Sequence, residues 1–335
     1  SGHRGGLLAA FLLAISPFHI YYSQEVRMYG LVTLFGVAAL CFTTQWDARE
    51  GRPGLKPWVG YVLAATAALY TAYYAAFLLL ALNLYVLIRW LRLRTGSAQR
   101  AEPAPVAGRP LRGLAAWVGA QLAVLLLFLP WLWYAGGKLL TYVRFKVGVE
   151  EDPTLGPFAY LARHLAAFTW GHAEGFLADW WWVGLLPLIA LLLALGFVLW
   201  RRRSGDEEPR PEVGPVRSQR SGASSPSTRP DLAPALPLVV LVVTLACGFA
   251  VNLALPFNPP RSERLLLLAL PAYLVLVAMG LLVLARFRRR LAAATAGLFV
   301  ILALVSLGFY YTVPRYPDDD YRPVVERVRA LGLPS

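Results

Sequence analysis

The sequence predicts an all-α, polytopic integral membrane protein, and three observations lead to that class. Of the 335 residues, 58% are hydrophobic and only 15% are charged, whereas a soluble domain carries about 25% charged residues. Apolar runs long enough to cross the hydrocarbon core of a bilayer recur along the whole chain. The mean hydropathy of the chain is +0.53. Together these features exclude a soluble fold.

Nine apolar runs are predicted to be transmembrane spans. They are residues 5–22, 29–46, 58–72, 74–90, 113–133, 180–200, 232–252, 265–285 and 291–311. The doubtful stretch is 58–90, which is too long for one crossing and is interrupted only at 71–74. Both of its flanks are basic, with Lys56 before it and Arg89 after it, and basic flanks face the cytoplasm. The chain must therefore go out and return, which requires two short crossings.

The charges then assign the two sides of the membrane. With residue 1 inside, 21 of the 32 Lys and Arg residues and eight of the 19 acidic residues fall in cytoplasmic segments. The whole net charge of +13 is thus predicted on the cytoplasmic side. This is the usual excess of Lys and Arg in the cytoplasmic loops of membrane proteins, and it does not indicate a nucleic-acid partner. We predict one transmembrane domain over 1–311, with 201–231 as a disordered cytoplasmic loop. Residues 312–335 would begin an extracytoplasmic C-terminal segment.

Function is predicted on the outer face, where four segments carry polar or charged residues. These segments are 23–29, 134–179, 253–264 and 312–335. In the second of them, apolar side chains recur at helical spacing after Pro157, and they are Phe158, Leu161, Leu165 and Phe168. This pattern is typical of an amphipathic helix in the membrane interface.

The first of these segments contains an acid and a base between two apolar runs, in SPFHIYYSQEVRMYG. Two interpretations of Glu25 and Arg27 stay open: they pair with each other and reach outward to water, or they face a cavity shared with the other outer segments. On a helix Glu25 and Tyr29 share a face, whereas Arg27 joins them only where the chain bends. Pro17 and Gly30 favour such a bend.

This stretch also resembles a known family. SPFHIYYSQEVRMYGL is similar to the signature of polytopic glycosyltransferases of the dolichyl-phosphate-mannose-protein mannosyltransferase-like group (family 39-like), which have the GT-C fold. Further similar stretches follow in the same order: AALYTAYYAAFLLL, with Ala72 where the family has His; LLLFLPWLWY; RSERLLLLALPAYLVLVAMGL, with Leu265 in place of Tyr; and DDDYRPVVERV. The likeness extends over nearly the whole chain, and its first motif is the most specific.

The resemblance implies an enzyme that moves a sugar from a polyprenyl-phosphate-linked donor lipid to an acceptor glycan, lipid or protein. The reaction would take place at the extracytoplasmic face of a cell membrane, and a bacterial plasma membrane is expected. The anionic lipid phosphate that leaves needs cationic partners. The residues expected to bind substrate are therefore the outer cations and a neighbouring tyrosine, namely Arg27, Tyr29, Lys138, Arg144, Arg261 and Arg264.

The reaction also requires a carboxylate that takes the acceptor proton. In the family this Asp lies in the first outer loop, ahead of the position that matches residue 1. We therefore expect an N-terminally truncated, inactive chain that lacks the principal catalytic Asp. Glu25 is expected to be the second catalytic acid, as a metal ligand or an acceptor-positioning group. His172, in TWGHAEG, is a second candidate metal ligand or else an exposed loop residue. Whether the enzyme binds a divalent metal cofactor is left open.

Two other function classes compete with a transferase. A transporter or lipid flippase would also be polytopic, but it is expected to show paired halves and ionisable residues at mid-membrane. A non-catalytic membrane scaffold is the third class. The sequence shows no clear internal repeat and its ionisable residues cluster outside the apolar runs, which favours an enzyme acting at the membrane surface.

Overall fold

The structure is a computed structural model that describes residues 2–25, 27–48, 54–98, 108–149, 154–172, 175–203, 235–254, 262–312 and 322–332. Within these ranges the chain is helical and contains no strand. The α-helices are α1 (Gly2–Ala14), α2 (Pro17–Gln24), α3 (Tyr29–Ala48), α4 (Leu55–Thr71), α5 (Ala75–Ala98), α6 (Gly108–Val149), α7 (Pro157–Trp170), α8 (Leu186–Arg203), α9 (Ala235–Ala254), α10 (Leu270–Phe287), α11 (Arg289–Thr312) and α12 (Arg322–Ala330). Two 3₁₀ segments, Gly175–Leu185 and Ser262–Ala269, lead into α8 and α10.

The helices have the lengths and compositions of membrane spans. In the described ranges seven are long and apolar enough to cross a membrane, or eight if α1 and α2 together form one broken span. The 17 residues of α4 rise about 25 Å, which is short of a hydrocarbon core of about 30 Å. The all-α, membrane-protein class is therefore confirmed, whereas the count of nine spans stays a prediction. The predicted loop 201–231 lies, from residue 204 onward, outside the described residues.

The long apolar stretch 58–90 is divided into two helices, as its basic flanks predicted. α4 ends at Thr71 and α5 begins at Ala75. Ala72 between them is extended (φ −155°, ψ 134°), and its N–H still bonds to the carbonyl of Ala68. This break reverses the chain, so that α4 and α5 pack against each other and both pack against α6.

Polar side chains fix these three helices to one another. Trp117 Nε1 of α6 donates to Asn83 Oδ1 of α5 at 2.7 Å. Gln121 Nε2, one turn further along α6, donates to Tyr61 Oη of α4 at 2.9 Å. In an apolar solvent, helix association depends on close packing and on such hydrogen bonds, because hydrophobic burial no longer drives it. The two bonds therefore specify how α4, α5 and α6 are aligned.

The predicted first span, 5–22, is not one straight helix, because the axes of α1 and α2 meet at 56°. Ser16 caps the new helix, and its Oγ accepts from the N–H of His19 at 3.3 Å. Pro17 follows at the first helical position, where its missing N–H costs nothing and its ring blocks continuation from α1. The predicted span 5–22 is thus broken at Pro17, ahead of the bend that the sequence predicted around Arg27.

α6 is longer than the sequence predicted. It has 42 residues and would be about 63 Å long, roughly twice the thickness of a hydrocarbon core. The helix continues to Val149, 16 residues beyond the predicted end of the membrane span at 133. Part of the segment 134–179 is therefore a rigid helical extension of a span.

The amphipathic helix predicted after Pro157 exists as α7, and its apolar residues are divided between the interior and the surface of the protein. Tyr160, His164 and Phe168 are buried, whereas Phe158 is 88% exposed and Leu161 is 43% exposed. The buried side faces α2, α11 and the segment 175–185. The polar His164 therefore lies inside the protein, and part of the apolar pattern faces outward.

The interior consists of two clusters that share α10. One cluster includes Phe18, Tyr22 and Phe168 and joins α1, α2, α7, α8, α10 and α11. The other includes Tyr61 and Leu82 and joins α3 to α6 with α9. In the span that contains α10, 67% of the residues are buried, against 39% or less in the six other candidate spans. This helix is therefore the central one of the bundle.

We expect Gly184→Ala to loosen the contact between α7 and the segment 175–185. A Cβ at Gly184 would lie 2.5 Å from the carbonyl oxygen of Ala166 and 2.7 Å from Trp170 Cβ. Because the Ala166 contact involves backbone, relief requires a helix shift, with a cost of about 1–3 kcal/mol. Thermal unfolding of the purified protein in detergent measures this change.

Gly196→Ala is the matched control, since a Cβ there meets nothing within 4 Å. We expect it to leave the melting temperature unchanged or to raise it slightly, because Ala favours a helix more than Gly does. Equal melting temperatures for the Gly184→Ala and Gly196→Ala variants would contradict the packing described here.

Candidate functional site

The ends of α2, α7 and α11 meet at one end of the bundle. Gln24 Nε2 donates to Tyr311 Oη at 3.3 Å, and Tyr310 Oη donates to Gln24 Oε1 at 2.5 Å. Ser306 Oγ of α11 donates to the carbonyl of Trp170, the last residue of α7, at 2.6 Å. The charge pattern predicted that these three ends lie on the same side of the membrane, and in the structure they are in contact.

The turn between α4 and α5 and the middle of α6 are joined in the same way. Trp131 Nε1 donates to Tyr73 Oη at 3.2 Å. At the far ends of α4 and α6, Trp58 Nε1 donates to the carbonyl of Ala116 at 3.1 Å. Trp58 and Tyr73 follow the same order along the chain as their partners Ala116 and Trp131, so α4 and α6 run in the same direction.

A buried chain of three polar side chains forms the centre of the first end. Tyr22 Oη lies 2.6 Å from His172 Nδ1, and His172 Nε2 lies 3.2 Å from Glu263 Oε2. Tyr22 is fully buried and Glu263 is 8% exposed. We call these three residues the Tyr–His–Glu triad. It joins α2, the end of α7 and the 3₁₀ segment 262–269.

The chemistry of the groups determines how protons are arranged in the triad. An ionised carboxylate only accepts hydrogen bonds, so His172 Nε2 carries a proton when it faces ionised Glu263. In the neutral ring Nδ1 is then bare and accepts from the Tyr22 hydroxyl. His172 Nε2 makes no hydrogen bond within the described residues, so its contact with Glu263 is mainly electrostatic.

Gly171 places His172 in this position. It ends α7 with φ +76°, a conformation that side chains strongly disfavour. A Cβ at Gly171 would lie 3.0 Å from Pro17 Cβ and 3.2 Å from the Phe18 nitrogen. Only glycine, therefore, allows the end of α7 to turn this tightly against the start of α2.

Aromatic rings surround His172 once the chain has turned. The Phe18 and Tyr22 rings meet the imidazole edge to face, with centroids 5.2 and 5.6 Å away, and Tyr21 lies at 6.4 Å. The His172 side chain is only 12% exposed. His172 is therefore a largely buried side chain and not the exposed loop residue that the sequence left as an alternative.

Glu263 is the main residue that the sequence did not single out as functional. The sequence offered one signal, because a carboxylate at the mouth of an apolar span usually has a partner. That partner, His172, is far away in the chain, and no pattern in the sequence connects the two. Tyr22 was missed for the same reason.

A second polar group lies beside the triad. His164 Nδ1 donates to the carbonyl of Tyr160 at 2.8 Å, which leaves Nε2 as an acceptor in the neutral ring. A cavity of about 40 Å³ is lined by Tyr74, Tyr160, His164, Gly248, Val251, Asn252, Ser262, Leu265 and Leu266. Asn252 is 6% exposed, and its Nδ2 has no hydrogen-bond partner among the described residues. The cavity is large enough for about one water molecule.

Electrostatics connect His164 to the triad. Burial lowers the pKa of His164 below its ordinary value, and His172 lowers it further, whereas the bond to Tyr160 and the negative charge of Glu263 act in the opposite direction. Burial also raises the pKa of Tyr160, and Glu263 adds to that effect. Both side chains of α7 are therefore neutral near neutral pH.

Glu25 and Arg27 lie in the break between α2 and α3. Arg27 Nε is 4.0 Å from Glu25 Oε2, with side-chain exposures of 55% and 14%. The two side chains are therefore within ion-pair distance, as one interpretation predicted, although the Glu25 side chain is largely buried and does not reach outward to water. Tyr29 is buried, and its ring lies 5.3 Å from that of Tyr22, so it packs beside the triad and not on an open surface.

Lys138 and Arg144 lie elsewhere, on the extension of α6. Lys138 Nζ is 3.3 Å from Tyr134 Oη and 4.4 Å from the centre of that ring. It borders an open groove of about 710 Å³, lined by Trp133, Tyr134, Gly137, Lys138, Thr141, Tyr142 and Phe145. Arg144 is exposed on the same helix. No described contact joins either cation to the triad.

Arg264 directly follows the triad residue Glu263. It is half-buried, and its Nε has no hydrogen-bond partner in the described part of the chain. Arg261, the other cation predicted here, lies outside the described residues. Within those ranges the triad therefore lies beside two of the substrate-binding candidates, Arg264 and Tyr29.

The described ranges contain no group of three or more His, Cys, Asp or Glu residues that could hold a metal ion. His172 lies against a tyrosine hydroxyl on one ring nitrogen and a carboxylate on the other, and an imidazole needs a free nitrogen lone pair to bind a metal. The metal roles of Glu25 and His172 stay predictions.

Compared with models of known protein families, with curated proteins and with solved structures, the chain shows no match. The family assignment therefore depends on the motifs in the sequence, and the activity and substrates of this chain are proposals.

We expect the two ends of the triad to be energetically coupled. His172→Ala leaves the Glu263 carboxylate buried without its partner, which costs about 3–5 kcal/mol. Once Glu263→Gln has removed the charge, His172→Ala should cost less, with a coupling energy of about 0.5–3 kcal/mol. Chemical unfolding of the wild type, both single variants and the double variant in detergent measures the coupling.

The Glu25–Arg27 pair provides the matched control, because its longer and more exposed contact should couple by about 1 kcal/mol or less. Additive effects of His172→Ala and Glu263→Gln would contradict the contact between these two residues.

We expect part of the acid sensitivity of the protein to come from His164. The folded protein binds a proton at His164 more weakly than the unfolded chain, whose histidines titrate near 6.5. The stability that a neutral His164 contributes is therefore fully present above pH 6.5, and it is lost as the pH falls below this value. His164→Asn, which keeps a donor for the Tyr160 carbonyl, should flatten the fall in melting temperature between neutral pH and about pH 5. An unchanged slope would exclude this role.

Proposed function

We propose that this chain is a membrane glycosyltransferase, which moves a sugar from a polyprenyl-phosphate-linked donor to an acceptor at the extracytoplasmic face of the membrane. One observation carries the proposal. The triad ties the segment that resembles the family signature, through Tyr22, to the segment that contains Arg264, through Glu263. Two stretches with family-like motifs are thus in contact at one end of an apolar bundle.

The proposed reaction needs a carboxylate near the acceptor and cations near the leaving phosphate. The acceptor oxygen forms a bond to the anomeric carbon while the bond from that carbon to the phosphate oxygen breaks. The acceptor proton goes to a carboxylate, and polyprenyl phosphate leaves with the bonding electrons. Because charge develops on the phosphate oxygen, cations there stabilise the transition state.

Arg27 and Arg264 are the cations that we assign to the leaving phosphate. The Arg27 side chain is 55% exposed, so it is accessible to a lipid headgroup. Arg264 has a buried Nε without a hydrogen-bond partner in the described ranges, and such a group is costly unless something binds it. A phosphate oxygen would satisfy it through a charge-assisted hydrogen bond.

Glu25 is the carboxylate that we assign to the acceptor side, as the second acid or as a group that positions the acceptor. Its side chain is 14% exposed, and its partner Arg27 is 4.0 Å away. At that distance the ion pair is loose enough for an acceptor hydroxyl to compete for a carboxylate oxygen. Tyr22 of the triad precedes Glu25 by only three residues in the chain, so the triad keeps this segment in place.

The transfer reaction can be measured directly. Membranes that carry the product of the complete reading frame are given radiolabelled polyprenyl-phosphate sugars, and label in the acceptor fraction is counted. We expect Glu25→Ala and Arg264→Ala to reduce transfer by about 100-fold or more, the scale seen when one stabilising group of a transition state is removed. Arg288→Ala is the control, because Arg288 is an exposed cation just before α11 on the side predicted to be cytoplasmic.

Equal transfer by the wild type, Glu25→Ala and Arg264→Ala would refute the assigned site. Absence of transfer by the wild type with every donor lipid would refute the proposed activity itself.

A further inference from the structure

The last helix, α12, is amphipathic. Viewed along its axis, one side carries the apolar residues Val325, Val328 and Leu331, and the other carries Glu326, Arg327 and Arg329. Leu331 belongs to the last turn, since its N–H donates to the carbonyl of Arg327 at 3.0 Å. Gly332, with φ +63°, then ends the helix.

The apolar side of α12 is open. Val325, Val328 and Leu331 are 48%, 39% and 66% exposed, so no described residue covers them. The helix has only nine residues, and isolated helices shorter than about 12–15 residues are marginal in water. A surface that accepts the apolar side would stabilise α12.

The chain limits where that surface can be. α11 is a candidate membrane span that ends at Thr312, and residues 313–321 lead from it to Arg322. Even a fully extended connection of this length reaches only about 35 Å. α12 is therefore held near the membrane boundary, at a high effective concentration relative to the bilayer.

We propose that α12 lies flat on the bilayer surface, with Val325, Val328 and Leu331 among the upper acyl chains. Arg327 and Arg329 then face the phosphates of anionic phospholipids. Glu326 is the one acidic residue of α12 itself, and the acidic residues 318–320 precede the helix in the chain. The combination of an apolar stripe with a basic polar side is the one that binds anionic interfaces. This surface is separate from the triad and does not depend on the proposed transferase activity.

The test places a fluorescent reporter on each side of the helix. The native thiols Cys41 and Cys247, which form no disulfide with each other, are first replaced by Ser. Val328→Cys and, as the matched control, Glu326→Cys are then labelled with a polarity-sensitive dye. The full chain is reconstituted into phosphatidylcholine vesicles with or without phosphatidylglycerol, and a phospholipid with a spin label on its acyl chain serves as the quencher.

We expect the dye at 328 to emit at shorter wavelength and to be quenched several-fold more than the dye at 326. Adding phosphatidylglycerol should increase the difference, and Arg327→Glu with Arg329→Glu should remove that increase. Val325→Cys repeats the measurement at a second apolar position, in case a dye at 328 disturbs the helix.

Two results would overturn the proposal. Equal quenching at positions 326 and 328 would show that neither side enters the bilayer. A shift to shorter wavelength at 328 and 325 without quenching by the spin-labelled lipid would show that protein, and not lipid, covers the apolar side.

Discussion

A carboxylate and an imidazole that leave water must find partners, because an isolated ionised group in an apolar interior costs several kcal/mol. The 3.2 Å contact between Glu263 and His172 meets this requirement, and the arrangement of one end of the bundle depends on it. His172 can reach Glu263 only because Gly171 ends α7 with a positive φ. Tyr22 completes the group and fixes α2 beside it.

The triad lies in an apolar environment that strengthens it. Phe18, Tyr21 and Tyr22 surround the imidazole, and electrostatic interactions are stronger where water is excluded. Arg264 directly follows Glu263 in the chain and Glu25 lies three residues after Tyr22, so the triad limits where both side chains can lie. A rigid, buried polar centre with ionisable groups at its edge is the kind of support that precise positioning of a substrate requires.

The sequence predicted what depends on local pattern. The helical class and the division of the stretch 58–90 into two helices follow from apolar runs and flanking charge, and the structure confirms them. The extension of α6 was missed because its aromatic and basic residues from Trp133 onward resemble a membrane boundary and Gly136-Gly137 resembles a turn, although no proline follows Pro130 in this helix. The buried face of α7 and the role of Glu263 depend on contacts between segments that are distant in the chain, and helical periodicity holds no information about those contacts.

The proposed site, formed by the segment around Glu25, the end of α7 and the 3₁₀ segment 262–269, requires that the segment around Glu25 lies on the outer side of the membrane. Labelling of single cysteines in intact cells with a membrane-impermeant maleimide tests it most directly. We expect Arg27→Cys and Tyr73→Cys to react in intact cells, and Lys56→Cys and Arg288→Cys to react only after permeabilisation. Labelling of Arg27→Cys and Arg288→Cys from the same side, or of Arg27→Cys only after permeabilisation, would contradict the claim.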